Sequence, residues 1–404
     1  MKPARLLLAL CVAVSSLFIP LASVSAEPNR FIPVLAPAIE ESLHARAAVL
    51  MDAGTGQVLI NKQGDERFAI ASVTKIMTLL LVLEANEDGR VQLADEVVAT
   101  PHACSYGGSQ IYLEPGERFT LQELLMAVTI KSANDAAVAL AEHVAGSEAA
   151  FVAMMNQRAD ELGMKNTHFI NACGLDDVSA SGLKGEKGYS SAVDVALMSK
   201  EVMRFYPLIG DWLTTRITYL QRASGPVELF NTNHRFIRGF QGADGLKTGL
   251  TDEARYCLSA TATRNGFSLI AVVLGVASDD LRYQDVATLL NYGYANYVGS
   301  NLVSKGDQLT VVPVNRGQER MVPVVAAENL AVLLPKGQVL AEIQQQVELE
   351  PKLFAPIAAG QPLGKLKAVK DGEVLGEVDL IAAEAVAKLG FFGRLGRMFE
   401  DLFR

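Results

Sequence analysis

The stretch Lys75 to Ala85, KIMTLLLVLEA, constrains this chain more than any other. Only Lys75, Thr78 and Glu84 interrupt it, so a helix here is hydrophobic all round and belongs in the middle of a domain. We expect it to run from Ser72 to Ala85, surrounded by helices at Leu121 to Ile130, Asp135 to Val144, Glu148 to Leu162 and Ser191 to Met203. A hairpin precedes it, Ala47 to Asp52 and Gln57 to Ile60 around the turn Gly54-Thr55-Gly56. Strands return at Gly245 to Thr251, Arg255 to Thr263 and Phe267 to Val276, the last two joined by Asn265-Gly266, a strong hairpin signal. A helix from Leu281 to Tyr297 follows. The order gives an α+β class, a helical region packed against one antiparallel sheet.

The rest of the chain divides around this unit. Lys2 and Arg5, the apolar run from Leu6 and the small-residue site Val24-Ser25-Ala26 read as a cleaved export leader over residues 1–26. Residues 27–42, with Pro28, Pro33 and Pro37, read as an extended lead-in. The catalytic-sized unit is expected over 43–298 and a small β-rich domain over 301–383. Residues 384–404 are expected to form an amphipathic helix: Phe391, Leu395, Met398 and Leu402 share one face, with Arg394, Arg397, Glu400, Asp401 and Arg404 opposite. Twenty-one residues with seven charged side chains make no transmembrane span, but they suit a helix lying on a membrane surface.

The formal charge of −9, which becomes −11 once Lys2 and Arg5 leave with the leader, argues against a nucleic-acid partner. Three cysteines remain after cleavage, Cys104, Cys173 and Cys257, an odd number that cannot form a complete disulfide framework. The five histidines show no metal-ligand spacing, so neither a metal nor another cofactor is expected.

Chemistry concentrates in three short motifs. Ser72-Val73-Thr74-Lys75 puts a hydroxyl at the start of the buried helix and an amine three residues on, on the same face. Burial favours the neutral amine, so the pair suits a nucleophile and its base. A second Ser-x-x-Lys, Ser181 to Lys184, sits in a Gly-rich polar loop where its lysine would be solvated and protonated, and is rejected. Ser132-Ala133-Asn134 falls between two helices, where a hydroxyl and an amide could project into a cleft or cap a helix. Lys247-Thr248-Gly249 lies on a strand, where glycine permits close approach of a ligand backbone.

In this order and at these separations the three motifs resemble the serine penicillin-recognising enzymes. Ala71 to Thr78 and Asp244 to Gly249 narrow the resemblance to the D-alanyl-D-alanine carboxypeptidases, among the low-molecular-mass penicillin-binding proteins. The resemblance implies a β-lactamase/transpeptidase-like catalytic domain that removes the terminal D-alanine from peptidoglycan pentapeptide stems. It implies Ser72 as acylated nucleophile, Lys75 as base, Ser132 as proton shuttle to the leaving D-alanine and Asn134 as a peptide contact. Lys247 would supply positive charge, Thr248 and Arg282 would bind the terminal carboxylate, and the N–H groups of Ser72 and Leu250 would form the oxyanion hole. Expected partners are stem peptides ending in D-Ala-D-Ala, β-lactams as inhibitors and the outer face of the cytoplasmic membrane. Cys173 and Arg255 stand where the family often has histidine and glycine.

Competing readings carry less. A class A β-lactamase needs an activating glutamate, and residues 145–210 contain no Glu-x-x-x-Asn. An α/β-hydrolase is excluded by the lack of Gly-x-Ser-x-Gly. A D,D-endopeptidase of the same family differs mainly in cleft access, and a non-catalytic scaffold is disfavoured because every core position is filled.

Overall fold

The computed structural model describes residues 36–390 and Gly393. The expected leader and most of the expected C-terminal helix lie outside these residues. Five antiparallel strands build the main sheet in the order Val58–Lys62, Ala47–Asp52, Phe267–Val276, Arg255–Arg264, Ala243–Thr251. The hairpin expected at Asn265-Gly266 is present, and Asn265 takes the left-handed φ of 52° that such a turn needs.

The central helix is Lys75–Glu87, entered through a tight turn at Ala71–Thr74. Ile76, Met77, Leu79, Leu80, Val82 and Leu83 are all buried in one core with the inner faces of Ala47–Asp52 and Phe267–Val276. At about 1.5–3 kcal/mol for each fully buried large aliphatic side chain, this helix anchors the domain. Helices Asn134–Ala145, Glu148–Glu161 and Ala192–Val202 close around it. The opposite face of the sheet is covered by Asp279–Asn296, through Val286, Leu289 and Leu290.

Several elements depart from the sequence reading. Residues Ala36–Ser42 are helical, not part of an extended lead-in; Pro37 is tolerated in a first turn, where its missing N–H costs nothing. The expected helix Leu121 to Ile130 is α-helical only to Met126, then widens into a π-type turn over Ala127–Lys131 that ends in a left-handed Ser132. Two small hairpins, Glu96–Val98 with Arg118–Thr120 and Ile217–Leu220 with Val227–Phe230, and the helix Tyr206–Thr214 were not anticipated, being too short for a clear period.

Beyond Tyr297 the chain forms the β-rich domain. Its main sheet has six strands, ordered Gln344–Leu349, Pro362–Lys370, Glu373–Ala382, Met321–Ala326, Gln308–Asn315, Leu353–Phe354, around Val322, Val324, Leu363, Leu366 and Leu380. Val386 is buried and bridges to Ile357, and Lys388 bridges to Gly317. The start of the segment expected to be helical over 384–404 is therefore extended and part of this domain.

Arg255, exposed at the turn that opens Arg255–Arg264, has φ 58°, a left-handed conformation costing an L-residue about 1–2 kcal/mol. Glycine removes that cost but loses more chain entropy on folding. Arg255→Gly is expected to stabilise the protein by about 0.5–1 kcal/mol in urea unfolding; a lower midpoint would show that the arginine side chain supplies compensating contacts.

Candidate active site

The site forms where the turn Ala71–Thr74, the Ser132 turn, the loop Asn171–Asp176 and the edge strand Ala243–Thr251 meet. Lys75 is fully buried, and its Nζ donates to Ser72 Oγ at 2.9 Å, Asn134 Oδ1 at 2.6 Å and the Cys173 carbonyl at 2.7 Å. Three donors meet three acceptors, so the amine is fixed in place. Burial lowers its pKa to about 8, opposed by Asp135. The Cys173 thiol is itself pushed up to about 11 by burial, so it is neutral where Lys75 titrates.

Asn134 is engaged at both ends: its Nδ2 donates to the Gly107 carbonyl at 2.7 Å while its Oδ1 receives Lys75. The amide expected to project into a cleft is thus a buried brace, 3 % exposed. Ser132 precedes it with φ 63° and ψ 35°, a strained conformation for serine that the π-type turn before it imposes.

Lys247 is also fully enclosed and donates to the Thr248 carbonyl at 3.0 Å. Burial first, then the positive fields of Lys75 and Arg282, hold its pKa well below the ordinary lysine value. Thr248 Oγ1 pairs with Thr232 Oγ1 at 3.0 Å. Gly249 is required for a different reason from the one expected. A Cβ there would stand 2.6 Å from the Ile70 carbonyl and 3.2 Å from Ala71 Cβ, so the close approach is to the chain's own turn. Leu250 is 56 % exposed, on the sheet's outer strand.

Arg282 lies against the strand backbone. Its Nη1 donates to the Gly249 and Cys257 carbonyls, both at 3.3 Å, its Nη2 pairs with Asp279 at 2.5 Å, and Tyr256 and Tyr283 flank the guanidinium. Ser181 and Lys184 are exposed, and Ser181 Oγ donates to Glu186, as a solvated loop requires.

Sequence reasoning missed the residues that shape the loop holding Lys75. Asn171 Oδ1 accepts from Cys173 and Gly174 N–H at 3.0 and 2.5 Å, and its Nδ2 donates to the Leu175 and Val178 carbonyls. Glu148 accepts from Ala172 N–H at 2.9 Å, and Thr78 Oγ1 donates to the Ala172 carbonyl at 2.6 Å. A lone polar Asn171 within Phe169-Ile170-Asn171-Ala172-Cys173 was the available signal.

A family model described as D-alanyl-D-alanine carboxypeptidase matches residues 35–278, and one described as penicillin-binding protein 5, C-terminal domain, matches residues 297–388. The chain belongs to the D-alanyl-D-alanine carboxypeptidase family. It is 40% identical over 358 residues to D-alanyl-D-alanine carboxypeptidase DacF of Bacillus subtilis, covering 88% of this chain and 90% of that one. It is 33% identical to DacC of Escherichia coli over 88% of this chain and 87% of the relative. Among solved structures, penicillin-binding protein 5 of Haemophilus influenzae aligns with TM-score 0.66 and 30% identity, over 86% of this chain and 98% of that one.

In this member of the family Gly174 is the most confined position of the site. At φ 86°, a Cβ would fall 1.9 Å from the Ala71 carbonyl and 2.8 Å from Thr74 Oγ1. Gly174→Ala is expected to cost about 3 kcal/mol in denaturant unfolding, from the left-handed strain and the overpacking combined. A loss below 1 kcal/mol would mean that the loop can move away without consequence.

Proposed function

We propose that the chain removes the terminal D-alanine from peptidoglycan stem peptides through an acyl-enzyme on Ser72. The observation that carries this is the buried Lys75 amine 2.9 Å from Ser72 Oγ, with its pKa lowered to about 8. The neutral amine takes the Ser72 proton as Oγ bonds to the scissile carbonyl carbon. Collapse breaks the C–N bond, and the leaving D-alanine nitrogen receives a proton by way of Ser132; water then releases the shortened peptide and restores the Ser72 hydroxyl.

The remaining roles follow from position. The N–H groups of Ser72 and Leu250 serve the developing oxyanion, supported by the tight turn at Ala71–Thr74 and the outer strand. An extended stem peptide lies along the open side of Ala243–Thr251, as a peptide adds to a sheet edge. Thr248 binds its terminal carboxylate in the positive field of Lys247 and Arg282. Asn134 acts by holding Lys75, and contacts the peptide when that bond is exchanged. A β-lactam is taken for the stem peptide's end and acylates Ser72 in the same way.

The enzyme works outside the cytoplasmic membrane, delivered by the leader over 1–26. The segment from Phe391 to Arg404 holds it to the membrane surface through its apolar face.

Ser72→Ala is expected to abolish D-alanine release from a pentapeptide and labelling by a fluorescent penicillin, while wild-type mass spectra carry the adduct on Ser72. An adduct on Ser181 or any other residue would overturn the assignment. A leader-processed chain ending at Gly390 is expected to leave the membrane fraction for the soluble one; full retention would contradict the anchoring role.

A further inference from the structure

A second concave site lies between the catalytic and β-rich domains, away from Ser72. It is a crevice of about 630 Å³, well within the size of small-molecule sites, and both domains line it. The catalytic domain presents the start of the edge strand at Asp244 and the turn of the hairpin Arg255–Val276; the β-rich domain presents Gly299–Asn301 and Glu328–Val332.

Its floor is a built polar surface. Asp244 is 8 % exposed and lines the crevice. Thr263 Oγ1 donates to Asp244 Oδ2 at 2.7 Å and lies 2.7 Å from Ser268 Oγ. Among the described residues nothing donates to Asp244 Oδ1, so a nine-tenths-buried carboxylate keeps one acceptor for an occupant. Burial is the main effect raising its pKa, as a carboxylate short of partners requires.

The walls supply the complementary groups. Neither Lys200 nor Glu328 forms a salt bridge with a described residue, and Lys200 lies in the field of the buried Asp52, which also lines the crevice. Asn329 uses its Oδ1 on Lys305 N–H, which leaves its amide N–H₂ free to donate. Tyr206 adds apolar ring surface. The free groups therefore include both donors and acceptors; with Lys305, which also lines the crevice, their charges balance at two of each sign, and an aromatic ring lies beside them. A strongly charged ligand would meet its own sign on one wall. A neutral molecule with many hydroxyl and amide groups and apolar ring faces satisfies all of them.

We propose that this crevice binds a neutral oligosaccharide, in the cell-wall setting the glycan strand that carries the stem peptides. The setting rests on the proposed activity; the chemistry of the crevice does not. Asp244 and Ser268 accept from sugar hydroxyls, Lys200 and Asn329 donate to them, and Tyr206 faces a sugar ring. Binding here would hold a glycan strand on the enzyme independently of the stem in the Ser72 cleft.

The test is calorimetric titration of the full chain, its Ser72 cleft first blocked with penicillin, using chitotetraose as the probe. We expect saturable binding, weakened at least tenfold by Ser300→Trp, which fills the crevice, and several-fold by Asp244→Asn, which keeps an acceptor for Thr263 but removes the charge. Penicillin labelling of each variant reports an intact fold and reads the proposed activity separately. No binding to protein that labels normally, or equal binding by both variants, would overturn the proposal. So would loss of binding on blocking Ser72, which would put the sugar in the other cleft, and displacement by a sugar-free stem peptide, which would make the crevice a peptide site. If the chain fails to label, the proposed activity fails, while titration of the unblocked chain and the same two variants still decides the crevice.

Discussion

The desolvated amine of Lys75 is the constraint around which the catalytic domain is arranged. An ammonium placed at the root of an apolar helix without partners would cost several kcal/mol. Here the Ser72 hydroxyl, the Asn134 amide and the Cys173 carbonyl take its three hydrogen bonds. Each acceptor comes from a different part of the chain, so the site exists only when the Ser132 turn and the Asn171 loop have both docked on the helix. The strained φ at Ser132 and Ala71, 63° and 47°, lie at the turns that meet there, and the apolar core beneath supplies the stability that sustains them.

The same arrangement accounts for the two buried lysines. The charge of Lys75, with that of Arg282, disfavours a charge on Lys247, and burial acts on both lysines in the same direction. Asp135 draws Lys75 back toward the charged form, but its carboxylate also accepts from the Ile111, Leu113 and Ala136 N–H groups. The result is an amine that can lose its proton near neutral pH and that sits beside a hydroxyl.

Much of this was legible in the sequence because it depends on period and spacing. The run Ile76 to Leu83 announced a buried helix, Asn265-Gly266 announced a hairpin, and the three-residue step from Ser72 to Lys75 put both groups on one face. What was not legible depends on distant contacts. Nothing local in Asn134 says that its carbonyl will meet Lys75, 59 residues away, and nothing in Gly174 says that the Ala71 carbonyl will press against it. Gly249 was read as a site of close approach by a ligand backbone, yet the group found against it is the chain's own Ile70 carbonyl. The π-type turn before Ser132 was hidden for the same reason, since Ala127 to Lys131 has an ordinary helical composition.

The proposed chemistry depends on the protonation of one side chain, and that can be observed directly. The protein labelled with ¹³C at lysine Cε can be titrated by NMR, with the Lys75 resonance assigned through Lys75→Met. A midpoint near 8, well separated from the surface lysines, is the predicted result. A Lys75 midpoint at 10 or above would contradict the account, because an amine that remains protonated throughout the working range cannot take the proton of Ser72.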